Sequence, residues 1–362
     1  MQPRQPAKIS GRAAQDHPPN RFSPIHVEET FDDREFDDDL LADERKLPTE
    51  FLPDRSRSII TENNSPDVGF RFSINPYRGC EHGCAYCYAR PTHETLGWSA
   101  GLDFETKILV KHDAPVLLRA ELSKPSWQAE VIGISGVTDC YQPAERRFRL
   151  TRGLLEVLSE AHQPCGVITK NALVTRDLDV LTSLAQRRLV HVFLSITTLD
   201  AELARTMEPR TSPPERKLAA IRTLAAAGVP VGVMVAPIVP GLTDHEVPAI
   251  LQVAREAGAS TAGYVLLRLP LSVVPVFQSW LAANYPDKQA RVESLIRSTR
   301  GGHLYDSRFG ARMRGGGNYA EQIAQNFRVF ARKAGLDGRL PELDRTQFRP
   351  PRPASGQKTL FD

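Results

Sequence analysis

Asn75-Pro76-Tyr77-Arg78-Gly79-Cys80-Glu81-His82-Gly83-Cys84-Ala85-Tyr86-Cys87-Tyr88 is the stretch that decides how this chain is read. It sets Cys80, Cys84 and Cys87 at a C-x3-C-x2-C spacing, on a glycine-punctuated loop directly after a strand-like run. Three thiolates this close can hold three irons of a four-iron cluster and leave the fourth iron open to an exogenous ligand. Glycines at 79 and 83 let the backbone wrap tightly and aim amide N–H groups at cluster sulfurs. The competing reading is structural zinc, which takes four ligands and usually two paired knuckles. His82 and His93 are the available completions, but His82 lies inside the loop and no second knuckle follows. Cys140 and Cys165 are distant and sit at the ends of expected strands. Five cysteines in a chain without an export-signal pattern read as metal or catalytic thiols rather than as a disulfide framework.

Outward from the loop, Arg71 to Pro270 alternates short β-branched runs with helical patterns, the mark of repeated βα units and a parallel sheet. Strands are expected at Phe72 to Asn75, Val131 to Ser135, Gly166 to Thr169, Val190 to Thr197, Val231 to Ala236 and Gly263 to Leu267. Helices are expected at Pro115 to Leu122, Phe148 to Ala161, Leu178 to Arg187, Glu215 to Ala227 and Glu246 to Ala257. Ser212-Pro213-Pro214-Glu215 and Thr243 to Glu246 have the form of capping boxes, while Gly228 and Gly258 stand where helices end in a left-handed residue. Near-continuous apolar strands such as Val231 to Val235 imply burial on both faces, as in a barrel or an open α/β sheet. Ligands in either bind at the carboxyl ends of the strands.

The ends read differently. Residues 1–65 carry Pro, Asp and Arg with no sustained period and are expected to form a disordered arm. Within it, Glu28 to Lys46 holds about ten acids against about three bases, and Phe31 to Leu41 interleaves acids with apolar residues. Residues 66–272 are the α/β core. Residues 273–335 form a helical, basic extension with helices at Phe277 to Ala283, Gln289 to Arg297 and Tyr319 to Lys333. Residues 336–362 are expected to be a loose tail. The whole is 362 residues, 41% hydrophobic and 25% charged, which fits a globular protein and excludes collagen-like or wholly disordered classes. No apolar run reaches the ~18 residues of a membrane span, and the first residues lack a secretory pattern, so the cytoplasm is the expected location.

With an aromatic residue, Tyr86, before its last cysteine, the loop resembles the signature of the radical S-adenosylmethionine (SAM) enzymes. Its flanks, Asn75 to Cys80 and Cys87-Tyr-Ala-Arg, resemble the branch related to spore photoproduct lyase. The resemblance implies an α/β fold of the partial (β/α)6 TIM-type barrel kind. It also implies a [4Fe-4S] cluster on Cys80, Cys84 and Cys87 that gives one electron to SAM, and a 5'-deoxyadenosyl radical that abstracts hydrogen from a substrate. A one-electron reductant of flavodoxin or ferredoxin type is implied with it. For SAM contacts it points to Tyr86, to Ser135 and Asp139 in the loop after the second strand, and to Ser195 and Thr197 after the fourth. It adds Arg210 as a clamp for the SAM carboxylate and Ala236 beside adenine. Each has a plainer alternative: a capped loop, strand-end hydroxyls, a surface ion pair, barrel core. Cys140, next to Asp139, is the candidate thiol for returning a hydrogen atom to a substrate radical, or else a small buried hydrophobe.

The barrel does not name the substrate. Lys288 to Arg352 holds about fourteen bases against about six acids, with Arg308, Arg312 and Arg314 beside Phe309, Tyr319 and a triple glycine. Such a patch suits nucleic acid, and plain solvation equally. Gln357-Lys358-Thr359-Leu360-Phe361 resembles the peptides by which bacterial DNA-processing proteins hold the replication sliding clamp. The expectation is a radical SAM enzyme of lyase or transferase type whose substrate the sequence leaves open, with nucleic acid, in repair or modification, as the candidate. The alternatives are a radical SAM enzyme acting on a protein or small molecule, and a zinc-dependent nucleic-acid-binding module.

Overall fold

The computed structural model describes residues 11–22 and 47–352. Its strands are β1 (Glu50–Pro53), β2 (Ile60–Glu62), β3 (Phe72–Ile74), β4 (Tyr77–Arg78), β5 (Lys107–Val110), β6 (Ile132–Ile134), β7 (Cys165–Thr169), β8 (Val190–Ser195), β9 (Val231–Ile238) and β10 (Thr261–Leu266). All six strands expected from the sequence are present. They pair in parallel in the order β3-β6-β7-β8-β9-β10, and β2 closes the β3 edge antiparallel. This is the partial (β/α)6 barrel. The face that its strands turn to the helices is apolar, with Val190, Val192, Leu194, Val231, Val233 and Val235 all buried in one core with Leu181, Leu184, Ile221 and Leu224. Gly232 leaves room for a neighbour's ring: a Cβ there would lie 2.5 Å from a Phe193 ring carbon.

The helices are α1 (Ala114–Leu122), α2 (Leu150–Glu160), α3 (Leu178–Gln186), α4 (Pro214–Ala226), α5 (Val247–Glu256), α6 (Val273–Asn284), α7 (Pro286–Ser298) and α8 (Asn318–Lys333), with shorter turns between. Gly228 and Gly258 have the expected positive φ, +75° and +103°. The expected capping boxes do not form. Ser212 turns instead to the β7 loop, accepting from Ala172 N–H at 2.9 Å, and Glu246 accepts from Thr198 and Leu199. In both cases a tertiary partner outbids the local cap. α8 packs Ala320, Ile323 and Phe327 into the main core beside Tyr264, whose ring centroid lies 4.6 Å from that of Phe327.

A second sheet, ordered β1-β5-β4, stands beside the end of β3 and frames the cysteine loop. It corrects the expectation of a structureless arm over residues 1–65 for the described part. Glu50–Pro53 is a strand, and Arg12, Ala13 and Ala14 are buried. The signal was invisible locally because β1 takes its partner, β5, from far along the chain. Residues 336–352, expected to be loose, also pack. Ala262 N–H bonds to Leu336 O, Asp344 N–H to Arg188 O and Arg349 N–H to Ala161 O, so this stretch runs past the amino ends of the parallel strands. Phe31 to Leu41 and Gln357 to Phe361 lie outside the described residues. Among the described residues no helix is long and apolar enough to cross a membrane.

Candidate active site

The cysteine loop is closed by its own backbone. Cys80 N–H donates to Phe104 O, Gly83 N–H to Cys80 O, Ala85 N–H to Met207 O and Cys87 N–H to Cys84 O. Gly79 and Gly83 have φ of +81° and +63°. A Cβ at Gly79 would lie 2.8 Å from Lys107 O, and one at Gly83 would lie 2.6 Å from Glu105 Oε2, so both positions demand glycine for shape and for space. Cys80 and Cys84 are buried and Cys87 is half-buried, and all five cysteines are free. Burial pushes each of the three thiols up, and nearby carboxylates, Asp139 at Cys80 and Glu208 at Cys84, add to it. Such thiols ionise when a metal takes the proton's place. Among the described residues no three His, Cys, Asp or Glu groups gather around a single ion. A four-iron cluster requires a different arrangement, one thiolate on each of three separate irons. The residues fit that cluster, with backbone N–H groups of Asp139 and Ala89 directed at Cys80 and Cys87.

Behind the loop lies Arg90, fully buried. Its Nε donates to Cys84 O at 3.1 Å, and its Nη1 to Ala100 O and Gly101 O at 3.0 and 2.9 Å. Its Nη2 reaches Gly83 O, Cys84 O and, at 2.5 Å, Glu105 Oε1. Glu105 is equally buried and also accepts from Ala14 N–H at 2.9 Å, while Arg12 donates to Glu105 O at 2.7 Å. Residues 11–22 are thereby strapped across the back of the cysteine loop, with Ala13 in the same buried apolar cluster as Cys84, Ala85 and Tyr86. Arg210, expected to clamp a SAM carboxylate, belongs to this scaffold. Its Nη1 meets Glu81 Oε1 at 3.0 Å and Thr49 Oγ1 at 3.1 Å, and its backbone N–H donates to His82 O.

In front, at the carboxyl ends of β7, β8 and β9, a second buried set appears. Thr197 Oγ1 donates to Glu208 Oε1 at 2.6 Å, and Tyr86 OH donates to the same oxygen. Lys170 Nζ lies 3.0 Å from Glu208 Oε1 and 2.8 Å from Ala236 O; Lys217 Nζ lies 2.9 Å from Glu208 Oε2. Burial pushes the Glu208 carboxyl up, but the two ammonium groups and the two hydroxyls outweigh it and hold it well below the usual carboxylate range. Ser195 is buried on β8 beside Met234 of β9. Tyr86, Thr197 and Ala236 are therefore brought together, with Ser195 two residues before Thr197 on the same strand end. Lys170, Lys217 and the role of Glu208 were missed. The available signal was Lys217 on the face that α4 buries, in register with Ala220, Ile221 and Leu224.

Asp139 ties the cysteine loop to the front set. Its Oδ1 accepts from Tyr141 N–H and Thr169 Oγ1, at 2.8 and 2.7 Å, and its Oδ2 accepts from Lys170 N–H at 2.7 Å. His82 Nδ1 stands 3.4 Å from Asp139 Oδ2 and His82 Nε2 stands 3.2 Å from Asn171 Nδ2. The Asn171 amide oxygen already accepts from Leu173 N–H and Ser212 Oγ, so its NH2 faces the ring and the His82 proton sits on Nδ1. Ser135, at φ +76°, accepts from Cys140 N–H at 2.7 Å. Ser135 and Asp139 thus serve the loop's own hydrogen bonds. Cys140 is not at the mouth: its side chain is fully buried in the main core. The turn that Asp139 and Ser135 cap directs it inward.

The family model for the radical SAM superfamily matches residues 74–254, half of the chain. The chain belongs to the radical SAM superfamily. An uncharacterised protein of Mycobacterium tuberculosis is 39% identical over 243 residues, 67% of this chain and 71% of that protein. An uncharacterised protein of Methanocaldococcus jannaschii is 29% identical over 219 residues, 60% of this chain and 78% of its own length. Spore photoproduct lyase complexed with dinucleoside spore photoproduct superposes with a TM-score of 0.54 at 16% identity, over 78% of this chain and 79% of that one. At that identity the likeness is one of fold. As a radical SAM enzyme the chain uses a [4Fe-4S] cluster and SAM.

Proposed function

We propose that this radical SAM enzyme acts on nucleic acid, as a repair or modification enzyme. The observation that carries the reading is a row of arginines laid over aromatic rings beside the last cysteine of the loop. Arg268 lies 4.3 Å from the ring centroid of Tyr88, the residue after Cys87, and Tyr88 is 41% exposed. Arg312 lies 4.5 Å from the ring of Phe309, 60% exposed, and Arg314 lies 4.3 Å from that of Tyr264, which is itself buried and only anchors the arginine. Exposed rings offer stacking platforms to bases, and guanidinium groups offer both stacking and phosphate contacts. The counted charge is partly spent, since Asp306 meets Arg308 and Asp67 meets Arg312. Arg300, 2% exposed, donates to Leu266 O, Leu267 O and Ala311 O and so fixes this segment at the end of β10. The fold shared with a lyase solved in complex with dinucleoside spore photoproduct supports the same reading.

The cluster, when bound, supplies the electron that cleaves SAM; the protein's part is to hold both and keep water out. Arg210 is occupied by Glu81, so the cation left to meet the carboxylate of SAM is Lys170, which Glu208 shares with Lys217. Hydroxyls of Ser195 and Thr197 and the carbonyl of Ala236 line the same place. The test is deuterium transfer into 5'-deoxyadenosine from uniformly labelled DNA, RNA and peptide pools. Label from a nucleic-acid pool is expected; label from the peptide pool alone would overturn the reading. Residues 357–361 extend the proposal to the sliding clamp. Removing residues 357–362 is expected to abolish capture on immobilised clamp without changing SAM cleavage, and unchanged capture removes that extension.

A further inference from the structure

The small sheet β1-β5-β4 does more than frame the cysteine loop: it carries a basic surface at the loop's Cys80 end. Arg78, two residues before Cys80, is exposed and pairs with Asp54 at 3.0 Å and with Ser56 Oγ at 3.3 Å. Asp54 and Ser56 lie between and beside the exposed Arg55 and Arg57. On the neighbouring edge, the exposed Arg147 lies 5.6 Å from the ring of Phe51 in β1 and 5.0 Å from that of Phe148. Phe148 in turn packs edge-on against Phe51 and the exposed His112. Arg146 and Arg149 flank this pair and are exposed as well. Against these six arginines the same surface exposes Glu50 and Asp113, and Asp54 is buried under Arg78.

The path from this surface to the cluster ligands is short. Tyr77–Arg78 pairs with Val110 and Leu109, and Gly79 packs on Lys107 O and Ile108. Cys80 N–H then bonds to Phe104 O, immediately before the strand. A protein docked on β4 and the β1–β2 connection therefore stands against the backbone that carries Cys80. The basic–aromatic rim at Tyr88 and Arg268 lies at the other end of the loop, after Cys87. Two basic surfaces, one at each end of a single metal-binding loop, divide naturally into an entry for electrons and an entry for substrate.

We propose that the surface formed by Arg55, Arg57, Arg78, Arg146 and Arg147 is the docking site of a small acidic one-electron carrier of ferredoxin type. The proposal rests on the radical SAM reading of the site. In the step it serves, the reduced carrier loses one electron and the cluster gains it, with no bond made or broken in this chain. Complementary charge acts chiefly on the rate of encounter and is screened by salt.

The test follows bleaching of the reconstituted cluster by stopped flow, in the full chain, with a reduced acidic bacterial ferredoxin or with dithionite. At low ionic strength R146E/R147E and, separately, R55E/R57E are expected to slow reduction by ferredoxin at least ~10-fold. The deficit shrinks toward zero at about 0.5 M salt, where the screening length is only a few ångströms. Reduction by dithionite stays as in the parent protein, which also shows that each variant retains a competent cluster. Unchanged ferredoxin rates in both variants overturn the proposal. So does a pair of variants that reduces normally but no longer retains single-stranded oligonucleotide, which assigns the surface to nucleic acid. A parent protein whose cluster dithionite reduces without any 5'-deoxyadenosine forming from SAM overturns the reading underneath, and the docking step with it.

Discussion

Two buried ion pairs bracket the cysteine loop, and they differ in what they leave over. Behind it, Arg90 faces one carboxylate, Glu105, and spends its remaining donors on four backbone carbonyls. In front, Lys170 and Lys217 share a single carboxylate, Glu208. The rear pair is neutral and takes up every Arg90 donor, leaving Glu105 Oε2 without a hydrogen-bond partner, which suits a scaffold that must not change. The front set carries one positive charge more than its carboxylate balances, which suits a place where an anionic group arrives. A buried pair contributes little net stability but is costly to break from one side, so the two sets should respond differently to the same kind of substitution.

The largest effect should come from the loop itself. Cys84→Ala is expected to remove both iron and 5'-deoxyadenosine formation, read by iron content per chain and by chromatography of the products. Next is the rear pair. Arg90→Met strands the Glu105 carboxylate without its paired cation and should cost about 3–5 kcal/mol in a denaturant melt, with rapid loss of iron to a chelator. A small cost with firm iron retention would show that the rear pair is dispensable.

His93 sharpens the same side by pH. It is buried, its Nε2 is 2.9 Å from Lys107 O, and burial lowers its pKa to about 4. Between pH 6.5 and 4 the unfolded chain binds a proton there that the native chain does not. Stability is therefore full above pH 6.5 and falls as the pH is lowered through 4, by at most about 3 kcal/mol. His93→Gln should flatten that part of the profile in thermal melts taken across the range. The smallest effect belongs to the front set. Lys170→Met leaves Lys217 paired with Glu208, so fold and iron should persist while SAM affinity drops about tenfold, or about 1.4 kcal/mol. Unchanged affinity by calorimetry would move the anion's partner elsewhere.

The contrast also explains what was legible beforehand. The six parallel strands and their helices were readable because each carries its own apolar period, as in Val231 to Val235 or the buried stripe of α2. The cysteine loop was readable because its ligands are adjacent in sequence. The strap, β1 and the two ion pairs were not. Arg12 and Glu105, or Lys170 and Glu208, are separated by tens of residues and look locally like surface charge. Only the fold brings them out of water, and nothing local marks that. Arg210 and Cys140 show the converse: local position placed each at the site, and tertiary partners gave the first to Glu81 and the second to the core.

The cysteine loop must hold a cluster with one iron left for SAM. Electron paramagnetic resonance of the dithionite-reduced protein, recorded before and after SAM is added, tests this directly. A reduced-cluster signal that changes shape and g-values on adding SAM is the predicted result. A signal that SAM leaves untouched, or a protein that yields none because it holds a single zinc, would contradict it.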